Sequence, residues 1–158
     1  MNYRIGFGFD VHQLKDGLEF WIGGILVPHS KGALGYSDAD VLIHSICDAL
    51  LGAANLGDIG KHFPDTDPKY KGVDSKILLK EVMSLVRKNG YELRNIDSTI
   101  CLQAPKIGAE IPKMQKVLAD CMGVDKNLIS IKSTTTEKLS FVGRELGVSA
   151  YATVLIYQ

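Results

Sequence analysis

The stretch from Gly147 to Tyr157 constrains this chain more than any other feature. It alternates without a break. Val148, Ala150, Ala152, Val154 and Ile156 fall on one side, and Ser149, Tyr151, Thr153, Leu155 and Tyr157 on the other. A period of two marks a β-strand. Apolar groups on both sides predict a strand inside a sheet with both faces covered. Such a strand needs partner strands and a helical layer. Tyr3–Asp10 reads as a second strand holding Gly6 and Gly8, and glycine in a strand often marks close approach of a backbone or ligand. Phe20–Ile22 and Ile25–Val27 flank Gly23-Gly24, a two-residue hairpin signal. Ile96–Gln103 and Leu128–Ser133 complete the strands.

Three helices fall between them. The first opens at Ser37 as N-cap, with Asp40 three residues on in a variant of the capping box, and turns Leu42, Ile43, Ile46, Ala49, Leu50 and Ala53 inward. The second is capped by Asp74 or Ser75, points Ile77, Leu78, Val82, Leu85 and Val86 inward, and stops at Gly90. The third runs from Pro112 to Met122 before Gly123. Lys31–Tyr36 and Asn55–Gly72 read as loops, and Thr134–Leu139 as a loop or a single helical turn. Interleaved strands and helices predict a mixed α/β (α+β) fold. We expect one domain, residues 1–158, with a mixed sheet covered by helices plus a small hairpin.

Charge excludes some partners. Lys plus Arg and Asp plus Glu each number 18, for a formal net charge of zero. Nothing then draws the chain toward nucleic acid or an anionic membrane, so any phosphate recognition must be local. The lack of net charge also removes a solubility aid, which fits an oligomer. Cys47, Cys101 and Cys121 form no C-x-x-C pair and read as reduced thiols. No apolar run approaches the length of a membrane span, and the N-terminus enters a strand directly. Together these features suggest a cytoplasmic protein.

Four segments carry candidate chemistry. Asp10 and His12 stand two apart in a strand and so share a face. Asp40, His44 and Asp48 form one stripe along a helix. Separately these read as a polar strand end and a solvated helix face. Together Asp10, His12 and His44 make a three-ligand set that leaves a fourth tetrahedral position open, as in catalytic zinc sites. Mn²⁺, Co²⁺ or Fe²⁺ would suit the same ligands, and Asp40 or Asp48 would orient His44. Asp58, Asp65 and Asp67 sit in a Gly/Pro-punctuated loop, either as acceptors for polyol hydroxyls or as turn formers. His62 reads as a surface histidine. Thr134-Thr135-Thr136-Glu137 follows a strand. It reads as a capping box, as a phosphate site, or as both, with Glu137 sufficient for a Mg²⁺ shared with phosphates. Gln103-Ala104-Pro105-Lys106 and Phe141-Val142-Gly143-Arg144 are less specific loops.

These segments also stand in a familiar order. Gly6-x-Gly8-x-Asp10-x-His12, Ser37-Asp38-Ala39-Asp40 with His44, Gly57-Asp58-Ile59-Gly60, Phe63-Pro64-Asp65-Thr66-Asp67, Gln103-Ala104-Pro105-Lys106, Thr134 to Leu139 and Phe141-x-Gly143-Arg144 resemble the 2-C-methyl-D-erythritol 2,4-cyclodiphosphate synthase family. The resemblance implies a homotrimeric α/β enzyme of the non-mevalonate isoprenoid route, a phosphorus–oxygen lyase with active sites between subunits. It implies a small cytidine diphosphate-linked substrate, 4-diphosphocytidyl-2-C-methyl-D-erythritol 2-phosphate, whose 2-phosphate attacks the β-phosphorus and expels CMP. It assigns zinc to Asp10, His12 and His44, and magnesium to Glu137. Thr135 would hold the transferring phosphoryl group and Ser37 the 2-phosphate side. Asp58, Ile59, Gly60, Phe63 and Asp65 would line the methylerythritol site. Ala104, Pro105 and Lys106 would line the cytidine pocket, Thr134 would bind substrate beside Thr135, and Phe141 and Arg144 would lie toward the trimer axis. Two positions depart from the pattern. Tyr36 stands at a catalytic position where the family usually has His, and Leu146 replaces a usual Glu. Two rival readings are a zinc-dependent phosphoester hydrolase using Asp38 or Asp58 as base and a non-catalytic nucleotide-binding trimer.

Overall fold

The computed structural model describes residues 2–158. Its main sheet is mixed. β1 (Tyr3–Asp16), β4 (Lys31–Leu34), β5 (Glu92–Cys101), β6 (Ile129–Thr134) and β7 (Gly147–Tyr157) lie in the order β4-β1-β7-β5-β6. Among the described residues only β5 and β6 run parallel, joined through the helix α4 (Ile111–Met122). β2 (Phe20–Ile22) and β3 (Ile25–Val27) form a separate hairpin. The predicted C-terminal strand sits at the centre of the sheet, paired with β1 and β5.

Helix α1 (Val41–Ala53) lies directly on β1, because Gly6 and Gly8 leave room for it. A Cβ on Gly6 would stand 1.8 Å from the Ala49 carbonyl oxygen, and one on Gly8 would stand 1.9 Å from that of Ser45. The close approach anticipated at these glycines is therefore to a backbone. α1 is buried on nearly all sides, since α3 (Ser75–Lys88) covers it from above. Short helices α2 (Ile59–His62) and α5 (Ser140–Gly143), with a 3₁₀ turn at Pro68–Tyr70, occupy the loops.

Several expectations need correction. β1 runs six residues beyond Asp10 because β4 pairs with its far end, Gln13 opposite Leu34. Lys31–Leu34 is thus a strand. The N-cap of α1 is Asp40, whose carboxylate accepts from the Ile43 amide at 3.0 Å. Ser37 lies three residues upstream. Asp74 caps α3, and Ile77 points outward, 49% exposed. Of the two readings of Thr134–Leu139, the loop holds, beginning after the strand end at Thr134.

The two-sided covering also fails within one chain. The helices cover only the sheet face carrying the even-numbered residues of β1. Ile5, Phe7, Phe9 and Val11 on the opposite face remain exposed, Ile5 by 73%. Phe9 and Tyr151 stack there with ring centroids 5.1 Å apart.

Candidate functional site

The strand period sends Asp10 and His12 to the α1 side of the sheet, where the glycines have brought α1 close. His44, in the first turn of α1, meets them. Asp10 Oδ2 lies 2.9 Å from His12 Nε2 and 3.0 Å from His44 Nδ1, and the two ring nitrogens are 3.2 Å apart. One ligand atom from each residue falls within 4.8 Å of the others. A carboxylate and two imidazoles at this spacing fit one divalent cation with mixed oxygen and nitrogen ligands.

The outward ring atoms are held. His12 Nδ1 donates to the Leu34 carbonyl at 3.1 Å, which leaves the Nε2 lone pair facing the cluster. His44 Nε2 lies 2.9 Å from Ser75 Oγ and 3.2 Å from Ser37 Oγ. The Ser75 hydroxyl donates its single hydrogen to Asp38 Oδ1, so it accepts from His44. The His44 proton therefore sits on Nε2 and Nδ1 is free to ligate. This chain through Ser75 fixes ring orientation from outside the ligand set. It corrects the expectation that Asp40 or Asp48 orients His44. Asp40 instead receives the Gly23, Gly24 and Ile43 amides, tying the β2–β3 turn to α1, while Asp48 accepts the Ile59 amide at 2.7 Å.

Electrostatics suit cation binding. Burial alone would raise the Asp10 pKa, but hydrogen bonds and charge from His12 and His44 outweigh it and bring it down to about 2. Burial alone would lower His44, yet the Asp10 carboxylate, helped by Asp40 and Asp38, raises it. Without a metal, the cluster thus favours a proton where the cation would be.

The cluster opens onto a cleft of about 490 Å³. Its walls include His12, Tyr36, Ser37 and His44 on one side, and Ile59, Gly60, Phe63 and Asp65 on the other. Asp58 stands beside this wall and caps α2 through the Lys61 amide at 3.0 Å. Asp67 caps the following turn through Lys69. His62 is half-buried, with Nε2 2.8 Å from the Leu56 carbonyl, and is not a free surface histidine. Tyr36 donates its phenol hydrogen to the Asp67 carbonyl at 3.1 Å.

A second cleft, about 450 Å³, lies at the ends of β5 and β6 and includes Gln103, Pro105, Lys106, Ser133, Thr134 and Thr135. It shares no lining residue with the first. Val11, Ser149, Cys101 and Thr134 are level across four adjacent strands. Three strand spacings place the β6 end about 14 Å from the metal strand. Glu137 and Lys138 beyond it have φ of 52° and 65°, a conformation that costs non-glycine residues energy. Thr135 Oγ1 donates to Glu137 Oε1 at 3.3 Å, and Gln103 Oε1 accepts the Lys138 amide at 3.2 Å. Phe141 and Arg144 are exposed on and just after α5, and Ala104 precedes Pro105 through a cis peptide bond.

Residue-level reasoning found the metal group but missed Ser75 and the orienting role of Asp38. The only sequence signal for Ser75 was its place beside the helix cap Asp74, and that for Asp38 was its place in Ser37-Asp38-Ala39-Asp40. Such reasoning also missed Pro64, Thr66, Tyr70, Val73 and Leu78 in the first cleft and Leu102, Ile107, Gly108 and Ala109 in the second.

A model of the YgbB family matches residues 3–157. The 2-C-methyl-D-erythritol 2,4-cyclodiphosphate synthase of Bacteroides fragilis is 64% identical over 156 residues, 99% of this chain and 98% of the relative. That of Porphyromonas gingivalis is 63% identical over 154 residues, 98% and 95% of the two chains. A solved synthase in a CDP-bound form superimposes with a TM-score of 0.90 at 38% identity, covering 98% of this chain and all of that one. The bifunctional IspDF from Campylobacter jejuni superimposes with a TM-score of 0.94 at 41% identity over 98% of this chain, which spans only 42% of that protein. By both the family match and its identity to these named synthases, the chain belongs to the YgbB family.

Proposed function

We propose that the chain converts 4-diphosphocytidyl-2-C-methyl-D-erythritol 2-phosphate to 2-C-methyl-D-erythritol 2,4-cyclodiphosphate and CMP. The observation that carries this reading is the Asp10–His12–His44 group opening on a cleft, in a chain 64% identical to proteins named for that reaction. A 2-phosphate oxygen bonds to the β-phosphorus. The bond from that phosphorus to the bridging oxygen breaks, and its electron pair leaves with CMP. The substrate supplies its own anionic nucleophile, so the protein's work is positioning and charge neutralisation.

Asp10, His12 and His44 would hold zinc, or manganese or cobalt in its place, and Glu137 would hold magnesium. When bound, such ions polarise phosphoryl oxygens and neutralise developing charge. Ser37 presents its hydroxyl on the 2-phosphate side. Asp58, Ile59, Gly60, Phe63 and Asp65 receive the methylerythritol. Thr134 and Thr135 donate to phosphate oxygens, and Ala104, Pro105 and Lys106 receive the cytidine. Phe141 and Arg144 face the trimer axis. Two features support a homotrimer with sites between subunits. The sheet leaves an apolar face bare, and the two clefts lie apart on one chain. The described residues include no helix long and apolar enough to cross a membrane.

The two carboxylates that a hydrolase would use as base are already engaged. Asp38 uses both oxygens on Ser75 and the Asp40 amide, and Asp58 caps α2. Turnover in water enriched in heavy oxygen, followed by phosphorus NMR, decides the matter. We expect one CMP per cyclic diphosphate, no solvent oxygen in the product, and loss of turnover on chelation. A linear phosphate carrying solvent oxygen would overturn the proposal.

A further inference from the structure

Tyr36 is one of the two residues that depart from the family pattern, and its contacts point away from chemistry. Its phenol donates to the Asp67 carbonyl at 3.1 Å, while its own carbonyl accepts the Gly72 amide at 2.8 Å. One residue thus grips the segment 63–73 at two places. The Asp38 amide adds a third bond, to the Val73 carbonyl at 3.2 Å. This segment forms the wall of the cleft facing the metal cluster, through Phe63, Pro64, Asp65, Thr66, Tyr70 and Val73.

Phe63 anchors the start of the segment by packing against the core, but residues 64–71 have little else to hold them. None of its residues is buried. Its remaining hydrogen bonds between Pro64 and Lys71 are local, such as Asp67 to the Pro64 carbonyl and Tyr70 to the Asp67 carbonyl, both 3.1 Å. The Phe63 and Tyr70 rings meet edge-on at 5.4 Å, again within the segment. Few buried contacts and exposed backbone bonds mark a region of low local stability. Among the described residues, the Tyr36 phenol is the one side-chain donor from elsewhere in the chain that reaches positions 64–71.

We propose that Tyr36 is a positioning residue that latches the 63–73 wall over the metal cluster through Asp67. A histidine at this position is shorter and would give up that reach for a charge at the cleft. The latch keeps the binding wall formed before substrate arrives, which lowers the ordering cost of binding. The inference rests on this cleft being the sugar-diphosphate site of the proposed reaction.

Tyr36→Phe keeps the ring and removes only the O–H. Two readouts on the full chain test it. Amide hydrogen exchange of 63–73 in the substrate-free enzyme should quicken roughly three- to tenfold, with α1 and the sheet unchanged. KM should rise by a similar factor while kcat holds, because wall ordering is needed equally in ground and transition states. Tyr36→His should loosen the segment as Tyr36→Phe does. Unchanged exchange in Tyr36→Phe would overturn the latch. So would a fall in kcat at constant KM, which would make the phenol a donor in the transition state. If the wild-type chain fails to release CMP yet Tyr36→Phe loosens the segment, the reaction is wrong and the latch stands.

Discussion

The two clefts of the chain are built in opposite ways. The metal end is carried by regular elements, a strand and a helix pressed together at Gly6 and Gly8. Its ligands are oriented by Leu34, Ser37, Ser75 and Asp38 before any ion arrives. The cleft beyond β5 and β6 is bordered by an exposed loop whose strain at Glu137 and Lys138 is restrained by a few exposed hydrogen bonds. The contrast teaches where preorganisation resides. Three protein ligands must converge on one ion within a few tenths of an ångström, so that end is rigid. In the proposed reaction the other half would meet a flexible diphosphate, which an open loop can accommodate.

The sharpest way to break the comparison is to remove a ligand. Asp10→Ala should leave the fold in place, abolish binding of one divalent ion and cut kcat/KM roughly a thousandfold, the loss of several kcal/mol of charge stabilisation. Metal content and CMP release check both. Retained activity would mean that the rigid end is not the catalytic one.

Gly8→Ala tests the helix–strand contact that sets the ligands. Its Cβ would meet the Ser45 carbonyl oxygen at 1.9 Å, against backbone that cannot yield. Overpacking of this kind costs about 3 kcal/mol, read as a lower denaturant midpoint. An equivalent stability with displaced metal affinity would place the strain in α1 alone.

Ser75→Ala removes the hydroxyl between Asp38 and His44. Metal affinity should fall roughly 10- to 100-fold with little change in folding. A titration with Zn²⁺ measures it. An unchanged constant would show that Ser37 suffices to orient the ring.

Acidity probes the same end. Because His44 is raised, the proton competes with the ion into the range above the ordinary imidazole value of about 6.5. Apparent affinity should fall about tenfold per pH unit below the raised value. The sign reverses for the metal-free fold. The stabilisation from His44 is present below the unfolded imidazole value and lost as pH rises through the raised one. That from Asp10, depressed to about 2, is present above the usual carboxylate value and lost only as pH falls through the lowered one. Metal titrations and thermal melts across this range should therefore slope in opposite directions.

The smallest effect belongs to the loop. Gln103→Ala frees the Lys138 amide and should lower kcat/KM about threefold, because an exposed bond of this kind is weak. A much larger loss would mean that the loop is preorganised after all, and the contrast between the ends would narrow.

Much of the design was legible in the chain. Period two in Tyr3–Asp10 put Asp10 and His12 together, and the helical pattern after Asp40 supplied His44. The hairpin at Gly23-Gly24, the α4 stop at Gly123 and the central strand from Gly147 were all readable from local chemistry. Residues 137–145 resisted such reading, because positive φ at Glu137, Lys138 and Ser140 follows no local preference of those side chains.

What the sequence determined by itself is therefore the identity of the ligands and the local faces on which they stand. Backbone periodicity fixes those faces within a few residues. Tertiary structure alone decided that Asp38 and not Asp40 orients His44, that Ile77 points outward, that one sheet face stays bare, and that Tyr36 reaches Asp67. Each depends on groups more than 30 residues apart or on how whole layers stack. Packing complementarity, which no local period encodes, brings such groups together.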